Sequence, residues 1–139
     1  MKLNLKFPPT PENAPKLSEL IVESAQRISK KKLDYSPDSL KTVDGIIEGF
    51  RTEKLKIENI IETLFCFGCY VGEVFIRNTG GLWKWTTEIP VEIFSNEPLL
   101  LQTPNSGIAN PIGKVMKRFQ NGDVDSLSYF YHMFVDRSK

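Results

Sequence analysis

Five segments of the chain place apolar residues at intervals of three and four, the spacing of an amphipathic helix. In the first of them, Leu17, Ile21 and Ala25 fall on one face. The longest should end at Gly80-Gly81, because glycine readily adopts the left-handed conformation that ends helices. The predicted helices cover about 16–31, 37–51, 56–79 and 111–121, and a fifth starts at residue 123 or 125.

After the double glycine, the pattern changes to alternation and to short apolar runs, which are typical of strands. Trp83, Trp85 and Thr87 alternate with other residues, and two further runs of strand length follow at 91–94 and 99–102. The turn-forming residues between them suit an antiparallel meander with short loops. Residues 103–109 have the composition of a loop. The pattern therefore predicts an α+β fold, with about five helices packed on a small antiparallel sheet.

The N-terminal segment differs from the rest of the chain in composition. Leu3, Leu5 and Phe7 alternate with polar residues, as in a short half-exposed strand or an extended arm. Prolines at positions 8, 9, 11 and 15 then oppose regular structure and form a stiff connector. We expect an extended arm over 1–15 and a single α+β domain over 16–139.

Two glycine pairs lie inside predicted helices, with a spacing of four residues in each pair. Gly45 and Gly49 belong to the second helix, and Gly68 and Gly72 belong to the third. A glycine inside a helix costs about 1 kcal/mol relative to alanine, so each pair needs a compensating reason. Two interpretations are open: the two helices approach each other closely at these glycines, or one pair makes room for a bulky side chain.

The overall charge limits the classes of partner. Lys and Arg total 18 against 17 Asp and Glu, which gives a formal net charge of +1. Such a balance supplies no general attraction for nucleic acid or for acidic membranes, and we expect neither as a partner. The basic run Arg27, Lys30, Lys31 and Lys32 is explained by the helix dipole, which favours cations at a helix C-terminus.

The sequence predicts a cytoplasmic protein. Its first residues contain no apolar run of signal-peptide length. The densest apolar stretch, residues 64–76, is interrupted by Glu73 and is too short to cross a bilayer. The two cysteines, Cys66 and Cys69, are expected as reduced thiols in that compartment.

No residue set in the sequence marks a catalytic, metal or cofactor site. The C-x-x-C spacing of Cys66 and Cys69 occurs in redox and zinc sites, but both residues lie deep in an apolar helical run. The single histidine, His132, cannot complete a zinc site with them. We therefore expect buried structural cysteines, no metal, no cofactor and no catalytic residues, and the sequence favours a protein that is not an enzyme.

A group of seven polar residues is the strongest candidate for a ligand site. Glu73 and Arg77 are one helical turn apart in the most apolar segment, where a buried charge needs a partner. They either form an anion-binding pocket, with Arg77 and Lys114 as donors, or belong to a satisfied network inside the fold. We favour the network, and expect the pair to neutralise itself inside the molecule. The candidate residues are Asp34, Tyr35, Glu73, Arg77, Asn78, Asn110 and Lys114.

Three blocks of sequence resemble a small bacterial domain family whose activity is not settled. The first block is Leu-Asp-Tyr-Ser-Pro-Asp-Ser-Leu at 33–40, and the second is G-x-Y-x-G-E-x-x-x-R-N-x-G-G-x-W at 68–83. The third combines Asn-Pro-Ile-Gly-Lys-Val at 110–115 with Gly-x-x-x-Ser-Leu at 122–127. Small proteins of this kind are often neighbours of toxin genes. The resemblance, which covers residue 33 to the C-terminus, implies a binding role of the immunity type and supplies no catalytic residues.

The leading hypothesis is a non-enzymatic binding protein, of the immunity or inhibitor type, with a protein partner of unknown identity. It rests on the lack of a catalytic signature and on two aromatic strand residues, Trp85 and Phe94, which serve as interface anchors if they are exposed. The alternative is a small-molecule-binding protein or a hydrolase. Its pocket would be formed by four polar residues, Glu73, Arg77, Asn110 and Lys114.

Overall fold

The structure, a computed structural model, describes residues 5–89, 97–105 and 107–137, with side chains up to residue 135. This part of the chain forms five helices and a three-stranded antiparallel sheet, which confirms the predicted α+β fold. Four of the predicted helices lie at their predicted places, and the fifth begins at Leu127 and not at 123 or 125, because Gly122–Asp125 form a 3₁₀ turn. The helices are α1 (Ala14–Ser29), α2 (Ser39–Thr52), α3 (Ile57–Thr79), α4 (Pro111–Asn121) and α5 (Leu127–Arg137).

The central element of the core is α3. All of its residues from 63 to 75 are buried, including the carboxylic acid Glu73, and α1 and α4 pack against it. By length and composition α3 is apolar enough to cross a membrane. An 18-residue stretch of this helix has a mean hydropathy of 1.4, but 78% of that stretch is buried inside the protein. The core helix of a soluble protein passes the same test, so this helix is weak evidence for a membrane span.

The sheet is small and lies beside the C-terminal half of the helical core. Its strands are β1 (Leu82–Trp85), β2 (Leu99–Gln102) and β3 (Ile108–Ala109), in the order β1-β2-β3 with antiparallel pairing. The first strand is shorter than predicted, because Thr86–Glu88 form a 3₁₀ turn. The predicted loop over 103–109 was wrong at its end, where β3 pairs with β2. The strand predicted at 91–94 lies outside the described residues.

The glycine pair of α3 permits close packing against two other elements. A methyl group added to Gly68 would lie 2.6 Å from the Cα atom of Ile112 on α4. A methyl group at Gly72 would overlap the indole ring of Trp83 on β1. At both positions the added methyl group would lie closer to its neighbour than two carbon atoms in contact can lie. The elements α4 and β1 can therefore approach α3 only because these two positions have no side chain.

The glycine pair of α2 has no such neighbour. Among the described residues, no atom lies within 4 Å of a methyl group built on Gly45 or on Gly49. The two glycine-bearing helices therefore do not meet at these residues, and the interpretation of a shared close approach was wrong. Only the α3 pair makes room for other side chains, while the α2 pair opens onto empty space.

Residues 5–13 contain no helix or strand, but they lie against the core. The backbone N–H of Leu5 donates to Glu62 Oε2 on α3 at 2.7 Å, and the ammonium group of Lys16 lies 5.4 Å from the centre of the Phe7 ring. Pro15 does not exclude helix here, because it lies in the first turn of α1, where the N–H that proline lacks has no helical partner.

Candidate functional site

Tyr35 is the centre of the predicted polar group. The guanidinium carbon of Arg77 lies 3.5 Å above the centre of its ring. The Tyr35 hydroxyl donates to Glu19 Oε1 at 2.5 Å and lies 2.8 Å from the hydroxyl oxygen of Ser18. Burial, together with the hydrogen bond to Glu19, raises the pKa of the Tyr35 phenol above its ordinary value. The phenol therefore stays protonated and acts as a donor that joins α1 to the segment before α2.

The backbone of Tyr35 is held in an unusual conformation by contacts from α3. Its φ is +64°, a left-handed value that is uncommon for residues other than glycine. The Tyr35 N–H donates to the hydroxyl of Tyr70 at 2.9 Å, and its carbonyl accepts from the side chain of Asn78 at 2.9 Å. The second contact explains the place of Asn78 in the predicted group: its amide fastens the turn before α2 to the end of α3.

Glu73 and Arg77 form the expected pair, but the two residues differ in their surroundings. Glu73 is only 5% exposed, whereas the side chain of Arg77 is 42% exposed. Glu73 accepts from the indole N–H of Trp83 at 3.0 Å and from Nε of Arg77 at 3.4 Å. The expectation that both charges lie inside the molecule was wrong for Arg77, whose guanidinium reaches the surface and also lies 3.6 Å from Glu19.

The other three predicted residues make their hydrogen bonds away from this pair. Asp34 accepts from the backbone N–H and the hydroxyl of Ser36 at the turn before α2. The side chain of Asn110 caps α4 by accepting from the backbone N–H of residue 113, as its position before Pro111 predicts. Lys114 donates to Asp125 at 2.7 Å. The contacts thus divide the seven residues between the α1–α3 side and the start of α4.

The partners of the seven polar residues determine what this group can do chemically. Each carboxylate oxygen of Glu73 already accepts a hydrogen bond, and the charge of Arg77 is shared by two carboxylates and one aromatic face. Lys114 is matched by Asp125, whose pKa is lowered by that hydrogen bond. An anion would have to displace these partners, so the geometry favours a role in holding α1, α3 and β1 together.

A buried cluster around Arg118 was missed by the sequence analysis. Arg118 is 2% exposed, and its guanidinium donates to Asp44 Oδ1 at 3.0 Å, to Glu48 Oε1 at 2.9 Å and to Asp123 Oδ1 at 3.0 Å. Burial alone lowers the pKa of an arginine, but the hydrogen bonds that Arg118 donates to Glu48 and Asp44 outweigh it and raise the pKa of Arg118. A signal was present, because Arg118 follows Val115 by three residues and so shares its buried face.

Asp44 extends this cluster to the start of α5. Its two carboxylate oxygens accept from the backbone N–H groups of Leu127 and Ser128 and from the hydroxyl of Ser126. A residue of α2 thereby caps a helix that starts more than eighty positions later. The cluster ties α2, α4 and α5 into one unit, and its polar atoms are engaged in doing so.

A concave surface borders α2 on its other side. A groove of about 560 Å³ lies between the C-terminal end of α1 and α2. It arises because α1 packs mainly on α3, whereas α2 packs mainly on α4 and α5. The groove is lined by Ile28, Ser29, Lys31, Lys41, Thr42, Gly45, Ile46, Gly49, Phe50 and Glu53.

One row of residues along α2 explains the depth of this groove. Lys41, Gly45, Gly49 and Glu53 are each four residues apart, so they form a single row along the helix surface. The two central positions have no side chain, and within the described ranges no atom lies within 4 Å of a methyl group built on either, while the charged residues lie at the two ends of the row. The apolar side chain of Ile28, which is 52% exposed, faces solvent on the opposite wall.

Of the two predicted partner-binding residues, Trp85 and Phe94, the structure describes only Trp85. Trp85 is 37% exposed at the end of β1, so its ring is available to a partner. Phe94 lies outside the described residues.

The two cysteines are buried in α3, as predicted, whereas His132 is exposed. Cys66 and Cys69 are buried, and burial raises the pKa of Cys66 to about 12 and that of Cys69 well above its ordinary value. His132 lies on an exposed face of α5 with its ring edge-on to Tyr131. Within the described ranges no group of three His, Cys, Asp or Glu side chains is placed to hold a metal ion.

Comparison of the chain with protein-family models, with curated proteins and with solved structures found no match. The resemblance of its three sequence blocks to a bacterial domain family therefore stays a prediction.

Proposed function

We propose that this chain is a non-enzymatic binding protein of the immunity or inhibitor type, and that it holds a protein partner in the groove between α1 and α2. The observation that carries the proposal is the glycine pair on the floor of the groove. Gly45 and Gly49 each cost about 1 kcal/mol of helix stability relative to alanine. Since no atom of the described chain approaches them, nothing inside the fold offsets that cost.

Exposed apolar surface near the groove supports the same proposal. Ile28 on its wall is about half exposed, and Ile46 on α2 is partly exposed as well. Apolar side chains on a concave surface with a charged rim are typical of binding sites for other molecules. The groove contains no nucleophile held by a base, because its polar side chains are lysine, serine, threonine and glutamate at separate positions.

The alternative, a small-molecule binder or hydrolase around Glu73, Arg77, Asn110 and Lys114, has less support. These four residues belong to two separate sets of hydrogen bonds, and their charges are matched within each set. A catalytic acid or base needs a free proton position that faces a substrate. The carboxylate of Glu73 instead faces the indole N–H of Trp83 and the guanidinium of Arg77.

The proposal is tested by affinity capture from a lysate of the source cells with three versions of the protein. Gly49→Leu fills the groove, and its new side chain begins in open space, so the fold is expected to be retained. Gln120→Leu is the matched control, because it adds the same side chain to an exposed position of α4. Circular dichroism and thermal unfolding first establish that all three versions are folded.

We expect the wild-type protein and Gln120→Leu to retain the same partner, and Gly49→Leu to retain at least about tenfold less of it. Retention of that partner by Gly49→Leu at the wild-type level would show that the partner does not bind in the groove. Failure of the folded wild-type protein to retain any protein above a blank resin would contradict the protein-binding function itself.

A further inference from the structure

We propose that the part of the partner that enters this groove is an amphipathic α-helix with acidic residues. The inference rests on the proposed function and adds the chemistry of the occupant. It is drawn from three features of the groove: its shape, its lack of an open strand edge, and the charges at its rim.

The shape of the groove suits a helix. Side chains on a helix surface form ridges along rows of residues four apart, and helices pack by placing a ridge of one into a groove of the other. On α2 the row that contains Gly45 and Gly49 lacks side chains at both central positions. A ridge of apolar side chains from a second helix fits this row, and its backbone can approach α2 closely, as at other glycine pairs.

Other modes of peptide binding have no counterpart in the groove. Addition of a strand requires an exposed strand edge, and the lining residues belong to α1, α2 and the short segments that follow these helices. Binding of a polyproline segment requires a surface lined by aromatic rings. Phe50 is the one aromatic residue among those that line the groove, and it is buried in the core.

The rim determines the charge of the occupant. Lys31 and Lys41 both line the groove and are exposed, and neither ammonium makes an ion pair within the described chain. Lys30 and Lys32 are exposed beside Lys31 and extend the positive region. Glu53, at the far end of the α2 row, is the one carboxylate among the lining residues. Acidic side chains at one end of the incoming helix could therefore form ion pairs with these two unpaired lysines.

A display library of random peptides tests the inference without knowledge of the natural partner. Peptides of about 16 residues are long enough for roughly four helical turns. The library is depleted on immobilised Gly49→Leu protein and then selected on the wild-type protein. We expect the enriched peptides to be acidic, with apolar residues at positions i, i+3, i+4 and i+7. Enrichment of basic peptides, of peptides without this period, or of none at all would overturn the inference.

The charge at the rim is then tested with the best enriched peptide, labelled for fluorescence anisotropy. Lys31→Glu combined with Lys41→Glu is expected to raise its Kd at least about tenfold, and more at low ionic strength. Lys117→Glu is the matched control, because Lys117 is exposed on α4 and does not line the groove; its effect should stay within about twofold. An affinity that is equally insensitive to both changes would contradict the assignment of the two lysines.

Two further probes distinguish a protein helix from other anionic partners. Phosphatidylglycerol vesicles and a single-stranded oligonucleotide are tested for binding by the wild-type protein and by the double lysine variant. We expect neither probe to bind at physiological salt, and binding of either one that depends on Lys31 and Lys41 would overturn the proposal in favour of that partner. Capture of a native partner that depends on Gly49, together with selection of peptides that are not helical and acidic, would refute this inference and leave the proposed function standing.

Discussion

The cluster around Arg118 predicts one large loss of stability. Arg118→Met removes a guanidinium that is 2% exposed and makes four hydrogen bonds, three of them to carboxylates. Removal of one partner from a buried ion pair costs about 3–5 kcal/mol, and here only Asp44 is a largely buried partner, since the side chains of Glu48 and Asp123 are 41% and 94% exposed. Asp44 would keep three donors at the start of α5, so we expect a value near the lower end. With an unfolding entropy of about 2.1 cal/mol/K per residue, a loss of ~3 kcal/mol lowers Tm by about 10 °C.

The measurement is urea unfolding followed by far-UV circular dichroism, with an unchanged dependence of the free energy on urea as the sign of two-state behaviour. Arg77→Met is the control with the same chemical change. The Arg77 side chain is 42% exposed, and its contacts are one long hydrogen bond to Glu73, an exposed ion pair with Glu19 at 3.6 Å and the face of Tyr35. We therefore expect it to cost only about 1–2 kcal/mol. An equal or larger loss for Arg77→Met would refute the reasoning and return the central role to the pair with Glu73.

Three further predictions use the same unfolding assay or a chemical probe. Gly72→Ala should lower the free energy of unfolding by about 1–3 kcal/mol, because its methyl group would overlap an indole ring. Gly49→Ala should raise the free energy of unfolding by up to about 1 kcal/mol, because alanine favours a helix over glycine. Two changes of the same sign would contradict the packing described for these helices. The hydrogen bond from a lysine lowers the pKa of Asp125, so this carboxylate stabilises the fold above its unfolded pKa of about 3.9 and loses that effect as pH falls through its lower folded pKa. Unfolding over a pH series should show Asp125→Asn less stable than wild type at neutral pH and equal to it near pH 2; a difference that grows in acid would reverse the sign. Since burial raises the pKa of Cys66 to about 12, iodoacetamide at about pH 8 should alkylate it roughly a thousandfold more slowly in the folded protein than in urea, and equal rates would place the thiol at the surface.

The helices could be predicted from the sequence because each one carries its own signal. The period of apolar residues marks α1 and α2, and the double glycine after residue 79 marks the end of α3. The strand β3 carries no such signal, because Ile108–Ala109 is only two residues long and is defined by its pairing with β2. A short strand of this kind depends on its neighbour, which a local pattern does not contain.

The candidate site was predicted in part, for a similar reason. Glu73 and Arg77 are one helical turn apart, so their contact follows from the sequence alone. Two of the three carboxylate partners of Arg118 lie 70 and 74 positions away on α2, and only the packing of α2 against α4 brings them to it. The indole of Trp83, which shares Glu73 with Arg77, likewise reaches it only because Gly72 lets β1 approach α3.

The distribution of charge changes the argument that the net charge first suggested. A formal charge of +1 on the whole chain provides no general attraction for anions. The described structure, however, places many carboxylates in internal pairs: Asp44 and Glu48 with Arg118, and Asp125 with a lysine of α4. Charges that neutralise each other at about 3 Å contribute little field at a distance, so the unpaired Lys31 and Lys41 make the potential positive at their end of the groove, away from Glu53. A chain that is nearly neutral overall can therefore still present a basic rim to an acidic helix, because its carboxylates hold the fold together elsewhere.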